Sequence, residues 1–156
     1  MTMTATPSPG NSGWIGWLRT GSVHKKYLGG IEAEIQKIER NNVVCAVVQS
    51  DDKVIVDAQS SLDTLMTANY EIGTKNIVID KALIAEEFFI LGSGLAGEIL
   101  QKYVNYGGRI AIYGDFSQYT GKPLKDFIYE SNKGHDVFFA STEEEAIQMI
   151  TRWQFA

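Results

Sequence analysis

The chain has 156 residues, 44% of them hydrophobic and 21% charged, with a formal net charge of −5. That is the size of one domain, long enough to bury a core without disulfides or metal, and the single cysteine, Cys45, excludes a disulfide framework within the chain. Arg19, Lys25 and Lys26 give residues 1–30 a charge of +3, so the remainder stands at −8, a balance that opposes non-specific binding to nucleic acid or anionic lipid.

Residues 1–30 are rich in Ser, Thr, Gly and Pro and have no period. They read as a flexible N-terminal extension, with residues 31–156 as one α/β domain. Trp14 and Trp17 are either incidental to that extension or a sticky peptide for a partner. No run approaches the roughly 18 apolar residues of a membrane span, and no signal-peptide order precedes the domain. Cys45 sits in an apolar run, as a buried thiol does in a reducing compartment. A cytoplasmic protein is expected, with no membrane partner.

Ile31, Ile35 and Ile38 fit helical spacing, but residues 35–40 equally fit a strand entering a hairpin at Asn41-Asn42. Residues 43–49 are β-branched and read as a strand. Asp51-Asp52 is a turn, and Val54-Ile55-Val56 a short strand. Ser60 or Ser61 caps a helix presenting Leu62, Leu65, Met66 and Tyr70, ended by Gly73. Residues 76–80 are a buried strand. Residues 94–106 form an amphipathic helix with Leu95, Ala96, Ile99, Leu100, Tyr103 and Val104 on one face. Gly107-Gly108 ends it, and 109–113 is the next strand. Pro123 opens a helix that turns Leu124, Phe127 and Ile128 inward and stops at Gly134. Residues 136–140 are the last strand. Ser141-Thr142-Glu143-Glu144 caps a final helix with Ala146, Ile147, Ile150 and Trp153 inside. Alternating strands and helices predict a mostly parallel sheet of four or five strands, an antiparallel N-terminal hairpin and about four helices.

Chemistry-bearing residues gather in two places. Gly92-Ser93-Gly94 opens a helix, where backbone N–H groups and the helix dipole suit a phosphate, a carboxylate or a phosphoserine. In the plainer reading Ser93 is a cap. Gly92, Gly94 and Gly97 spell G-x-G-x-x-G, but about ten residues after the strand, which is wrong for a dinucleotide site. Leu91 stands where a nucleophile elbow needs glycine. Only His24 and His135 are available for a triad, one in the extension and one at the far end of the sheet.

The second place is the loop 114–122, which leaves the carboxyl end of a strand, where open α/β sheets hold ligands. It carries Asp115, Ser117, Tyr119 and Lys122. Glu86 and Glu87 belong to the same edge. Glu86, Glu87 and Asp115 together suit a hard cation, Mg2+ or Ca2+, or are an acidic protein's solvated rim. On the next helix Asp126, Glu130 and Lys133, flanked by Tyr129, form either a partner surface or an ordinary charged face.

Five runs carry a family likeness: Asp57 to Asp63, Glu87-Phe88-Phe89, Gly94 to Lys102, Ala111 to Ser117, and Asp126 to Asn132. On these the chain from about Ile35 to Ile150 resembles a bacterial family, domain-of-unknown-function family 4180. It departs in having Gly107-Gly108 before Arg109, where the family commonly has an extra basic residue. A strand, an acidic loop, Ser-Gly-Leu at a helix start, a Gly-ended helix and an apolar strand are also similar to the STAS-type domain of anti-sigma-factor antagonists. That likeness implies a phosphorylation switch for a kinase partner at the matching position, Ser93; Gly92 replaces the usual preceding acid.

The leading expectation is a STAS-like binding or regulatory module that needs no cofactor. It would meet a protein partner or a small anionic ligand through Glu86, Glu87, Ser93, Gly94, Asp115, Ser117, Tyr119 and Lys122, with a homodimer left open. The alternative is a small hydrolase using a divalent metal on Glu86, Glu87 and Asp115.

Overall fold

The structure, a computed structural model, describes residues 23–28 and 30–152. It has six strands, β1 (Val23–Leu28), β2 (Ile31–Arg40), β3 (Val43–Ser50), β4 (Asn76–Asp80), β5 (Arg109–Tyr113) and β6 (Val137–Ala140), and four α-helices, α1 (Ala58–Ile72), α2 (Leu95–Asn105), α3 (Lys122–Lys133) and α4 (Glu143–Ile150), among those residues. The strands lie in the sheet in their order along the chain. β1–β2 and β2–β3 are antiparallel, and β3 to β6 are parallel. The expected mixed α/β architecture is present, with six strands in place of four or five.

The additional strand comes from residues assigned to the extension. Val23–Leu28 pairs along its whole length with β2, Leu28 opposite Ile31 and Val23 opposite Gln36. Leu28 is buried in the main core. Glu71 of α1 holds Lys26 at 2.9 Å and His24 at 3.3 Å. Val23–Leu28, counted in the extension, thus belongs to the sheet; Trp14 and Trp17 lie outside the described residues. Val23, Lys25 and Tyr27 share one side of the strand and His24, Lys26 and Leu28 the other. The lysines on both sides hide this alternation from an apolar/polar reading.

For Ile31 to Ile38 the strand alternative holds. Ile35 and Ile38 point to opposite faces and both are fully buried. Asn41 and Asn42 both have positive φ, 56° and 64°, the conformation a two-residue hairpin needs and asparagine tolerates. Val54-Ile55-Val56 is less than a strand: Ile55 makes only an isolated bridge to Ile84.

Because β3 to β6 progress across the sheet in one direction, successive crossovers of the same hand put their helices on one face. α1, α2 and α3 there cover Ile35, Val48, Ile77, Ile79, Ile110, Ile112 and Phe139. The opposite face carries Ile38, Cys45, Val47, Val78, Ala111 and Phe138, covered by Ala146, Ile147 and Ile150 of α4. α4 lies across β4, β5 and β6. The β1–β3 half of that face needs no helix, because its side chains include Lys25, Glu32, Glu34 and Gln49 around a shallow cleft of about 290 Å3. Trp153 lies outside the described residues.

Three helix details differ from expectation. Asp57, not Ser60 or Ser61, caps α1: its carboxylate accepts from the Ser60 amide, and the Ser60 hydroxyl closes the box on the Asp57 amide. Tyr70 and Val104, assigned to inward faces, are 87% and 56% exposed. The inward face of α1 instead includes Ser61 and Thr64, whose hydroxyls bond back to the helix carbonyls of Ala58 and Ser60, so they are buried without an unmet donor. Thr142 caps α4, accepting from the Glu145 amide.

The β6 edge is closed by a side chain. Asn132 donates to the Phe139 carbonyl at 3.1 Å and accepts from the Phe139 amide at 2.7 Å. One amide thereby satisfies the groups a further strand would use.

Leu28→Ala tests whether β1 belongs to the core. A buried leucine truncated to alanine costs about 2–5 kcal/mol. The melting temperature should fall by about 10 °C in a domain of this size; a change under about 2 °C would mean that β1 is peripheral.

Candidate functional site

Parallel strands release their chain at one edge. The segment 81–94 leaves β4 there, and the loop 114–121 leaves β5. The first residue past β4 is Lys81, whose stem lies against Gly114, the first past β5. A Cβ on Gly114 would stand 2.7 Å from Lys81 Cγ, and Gly114 has a φ of 152°, so both space and backbone select glycine.

Tyr119 joins the two segments. Its hydroxyl donates to Glu86 Oε2 at 2.9 Å and accepts from Lys81 Nζ at 3.3 Å. Its ring stacks on Phe89, with centroids 5.4 Å apart and planes 23° apart. Lys81 Nζ lies 5.0 Å from the Tyr119 ring centroid, within cation–π range. Phe116 extends the aromatic layer to Phe89 and, edge-on, to Phe139.

Asp115 turns into its own loop. Its Oδ1 accepts from the Ser117 hydroxyl at 2.6 Å and the Ser117 amide at 2.9 Å. Those bonds, the hydroxyl's foremost, hold its pKa below the ordinary 3.8. The ionised form stabilises the loop above that value, and the contribution is lost as pH falls through the lower folded pKa.

Ser93 is neither inside a strand nor the helix cap. It ends a short 3-10 turn, Leu91–Ser93, and Gly94, with φ of 83°, caps α2. The exposed Ser93 hydroxyl donates to the Glu87 carbonyl at 2.7 Å and accepts from the Leu95 amide at 3.2 Å. It closes the turn of 87–93 and meets one free N–H of α2. Gly94 contributes a backbone conformation.

The expected residues therefore assemble in part. Glu86 and Tyr119 meet directly, and Ser93 is tied to the backbone of Glu87. Lys122 is spent on α3, paired with Asp126 at 2.6 Å in solvent. The three-carboxylate metal site does not form: among the described residues no three His, Cys, Asp or Glu side chains gather closely enough to hold a metal ion. Glu86 faces Tyr119 and Asp115 faces Ser117, so the Mg2+ or Ca2+ reading is corrected. His135 lies at the opposite edge, where its carbonyl accepts from Arg109 Nε. Among the described residues no helix is long and apolar enough to cross a membrane.

Beside Asp115 the edge opens into a cleft of about 520 Å3, floored by Phe116, Ile128 and Phe139 and reaching Ser141 and Glu145. Sequence reasoning missed Lys81 and this cleft. The rule that ligands sit at the carboxyl ends of strands, applied to β4 as it was to β5, points to Lys81. The cleft had no local signal, since its walls come from three separate stretches of chain.

Gly114→Ala should push Lys81 off the loop and slacken the Tyr119 contacts. The expected cost is about 1–3 kcal/mol, read by thermal melting. An unchanged melting temperature would mean that the Lys81 stem moves freely aside.

No curated protein and no solved structure matches the chain. The family model described as "Domain of unknown function (DUF4180)" matches residues 40–150, from the β2–β3 turn through α4. The matched stretch contains every candidate residue above, and the chain belongs to the DUF4180 family.

Proposed function

We propose that this chain is a STAS-like binding and regulatory module, working in the bacterial cytoplasm, whose recognition surface is the carboxyl edge of its sheet and whose partner is a protein. The observation that carries the reading is the Tyr119 junction: its bonds to Glu86 and Lys81 make two loops from different strands into one surface. The polar groups named for this edge are committed to holding its shape. Asp115 bonds Ser117, Ser93 bonds Glu87, and Glu86 accepts from the Tyr119 hydroxyl. That is the arrangement of a recognition surface that must keep its form. The other partner considered, a small anionic ligand, would meet the carboxylates of Glu86 and Asp115.

Ser93 is the regulatory position in this reading. A phosphoryl group on its oxygen removes the proton that bonds the Glu87 carbonyl. The new charge is tolerated by the start of α2, because the helix dipole favours anions there by about 0.3–1 kcal/mol. It is not tolerated by Glu86 and Glu87, the two acids of the neighbouring turn. The turn of 86–89 therefore moves while α2 stays formed. Glu86 then leaves Tyr119, and the 114–121 loop loses its tie. A switch at this residue is also what the resemblance to STAS-type domains implies.

The test is affinity capture from a bacterial extract on the immobilised chain, comparing wild type, Ser93→Ala and Ser93→Asp by quantitative mass spectrometry. Ser93→Ala loses hydrogen bonds worth about 0.5–1.5 kcal/mol but gains no charge, so it should retain the wild-type partner. Ser93→Asp should stay folded by circular dichroism and lose or exchange that partner. Identical capture by all three proteins would contradict the reading.

A further inference from the structure

The cleft beside the Tyr119 junction has an apolar floor and two carboxylates on its wall. Phe116, Ile128 and Phe139 form the floor, Asp115 comes from the exit of β5 and Glu145 from the first turn of α4. Both carboxylates are oriented in the same way. Asp115 takes the amide and hydroxyl of Ser117 on Oδ1 alone. Glu145 takes the amide and hydroxyl of Ser141 on Oε1 alone, each at 2.8 Å. A carboxylate offers about four lone-pair sites over two oxygens, so Asp115 Oδ2 and Glu145 Oε2 retain theirs. The serine bonds also lower the pKa of both groups, Asp115 chiefly through the Ser117 hydroxyl and Glu145 chiefly through the Ser141 amide.

We propose that this cleft seats an arginine side chain of the partner protein, with its guanidinium between Asp115 Oδ2 and Glu145 Oε2 and its methylene stem on Phe116, Ile128 and Phe139. The proposal rests on the reading of this edge as a protein-binding surface and supplies the chemistry of its partner. The argument is complementarity of charge and shape. The site presents acceptors in pairs beside aromatic rings, and guanidinium is the side-chain cation with forked donors, weak hydration and a face that stacks on rings. An ammonium is more strongly hydrated and has no planar face to stack on the rings. Lys81 lies near enough to draw down the Asp115 pKa slightly, but its ammonium is bonded to the Tyr119 hydroxyl. The edge carries further negative charge on Glu143 in the first turn of α4, whereas Glu144 is paired with Arg40. A basic segment is therefore steered here.

The test uses the full chain, isotopically labelled, titrated with acetyl-Ala-Arg-Ala-amide and followed by NMR. The matched control replaces arginine by citrulline, which has the same shape and no charge. The arginine peptide should shift Phe116, Ile128 and Phe139 saturably, and the citrulline peptide should not. Asp115→Asn and Glu145→Gln each keep an oxygen for the serine and remove the charge. Each should weaken binding about fivefold, the scale of one partly exposed ion pair, with melting curves confirming the fold. Equal shifts with citrulline, no shifts at the cleft, or unchanged affinity in both variants overturns the proposal. If the cleft stays silent while capture responds to Ser93, the partner chemistry is wrong and the module reading stands. If arginine binds while capture ignores Ser93, the site stands and the switch falls.

Discussion

Four parallel strands, β3 to β6, oblige the chain to leave the sheet at one edge and re-enter at the other. Most of the molecule's organisation follows from that constraint. The crossovers carry α1, α2 and α3 over one face, which buries the alternate isoleucines of the strands. The fourth helix, α4, packs on the other face. The exits of β4, β5 and β6 lie side by side, held by the Gly114 amide on the Ala140 carbonyl at 3.0 Å. Three loops with no strength of their own become neighbours because the ladder beneath them is rigid.

Periodicity made the parallel half of the fold legible. The strands at 76–80, 109–113 and 137–140 are apolar runs bounded by glycine or acid, as strands buried on both faces must be. The helices at 95–105 and 122–133 declare themselves by an apolar stripe and by Pro123. The antiparallel half was harder to read. β1 is Val-His-Lys-Lys-Tyr-Leu, with only one fully buried side chain and two lysines, and its partner β2 has isoleucines at a spacing that also suits a helix. Only pairing separates the two, and pairing is not local. Tyr70 and Val104 are the opposite case: they are apolar at helical spacing, yet the inward positions are filled by Thr64, Leu65 and Ala68 in α1 and by Ala96, Ile99 and Tyr103 in α2.

The site was legible as a neighbourhood and illegible as a set of bonds. The carboxyl-edge rule groups Glu86, Ser93, Asp115 and Tyr119 on one side of the sheet, and of these Glu86 and Tyr119 bond directly. It did not reveal that Asp115 would spend one oxygen on Ser117, two residues away, leaving no gathering of acids for a metal. Nor did it reveal that Ser93 would reach back to Glu87 and leave the cap to Gly94. Such short-range bonds compete with long-range ones wherever Ser or Asp stands in a loop, and they decide which oxygen remains for a partner. Lys81 was overlooked because a lysine after a strand is common. Its role depends on the glycine opposite it.

In the proposed module, Ser93 and the 114–121 loop are mechanically joined through Glu87, Glu86 and Tyr119. Hydrogen–deuterium exchange of the Ser93→Asp protein against wild type tests this most directly. Exchange should be faster at the Ser117 and Tyr119 amides, with the amides of β5 and the interior of α2 unchanged. Exchange that rises only at residues 87–95, with the 114–121 loop as protected as in wild type, would contradict it.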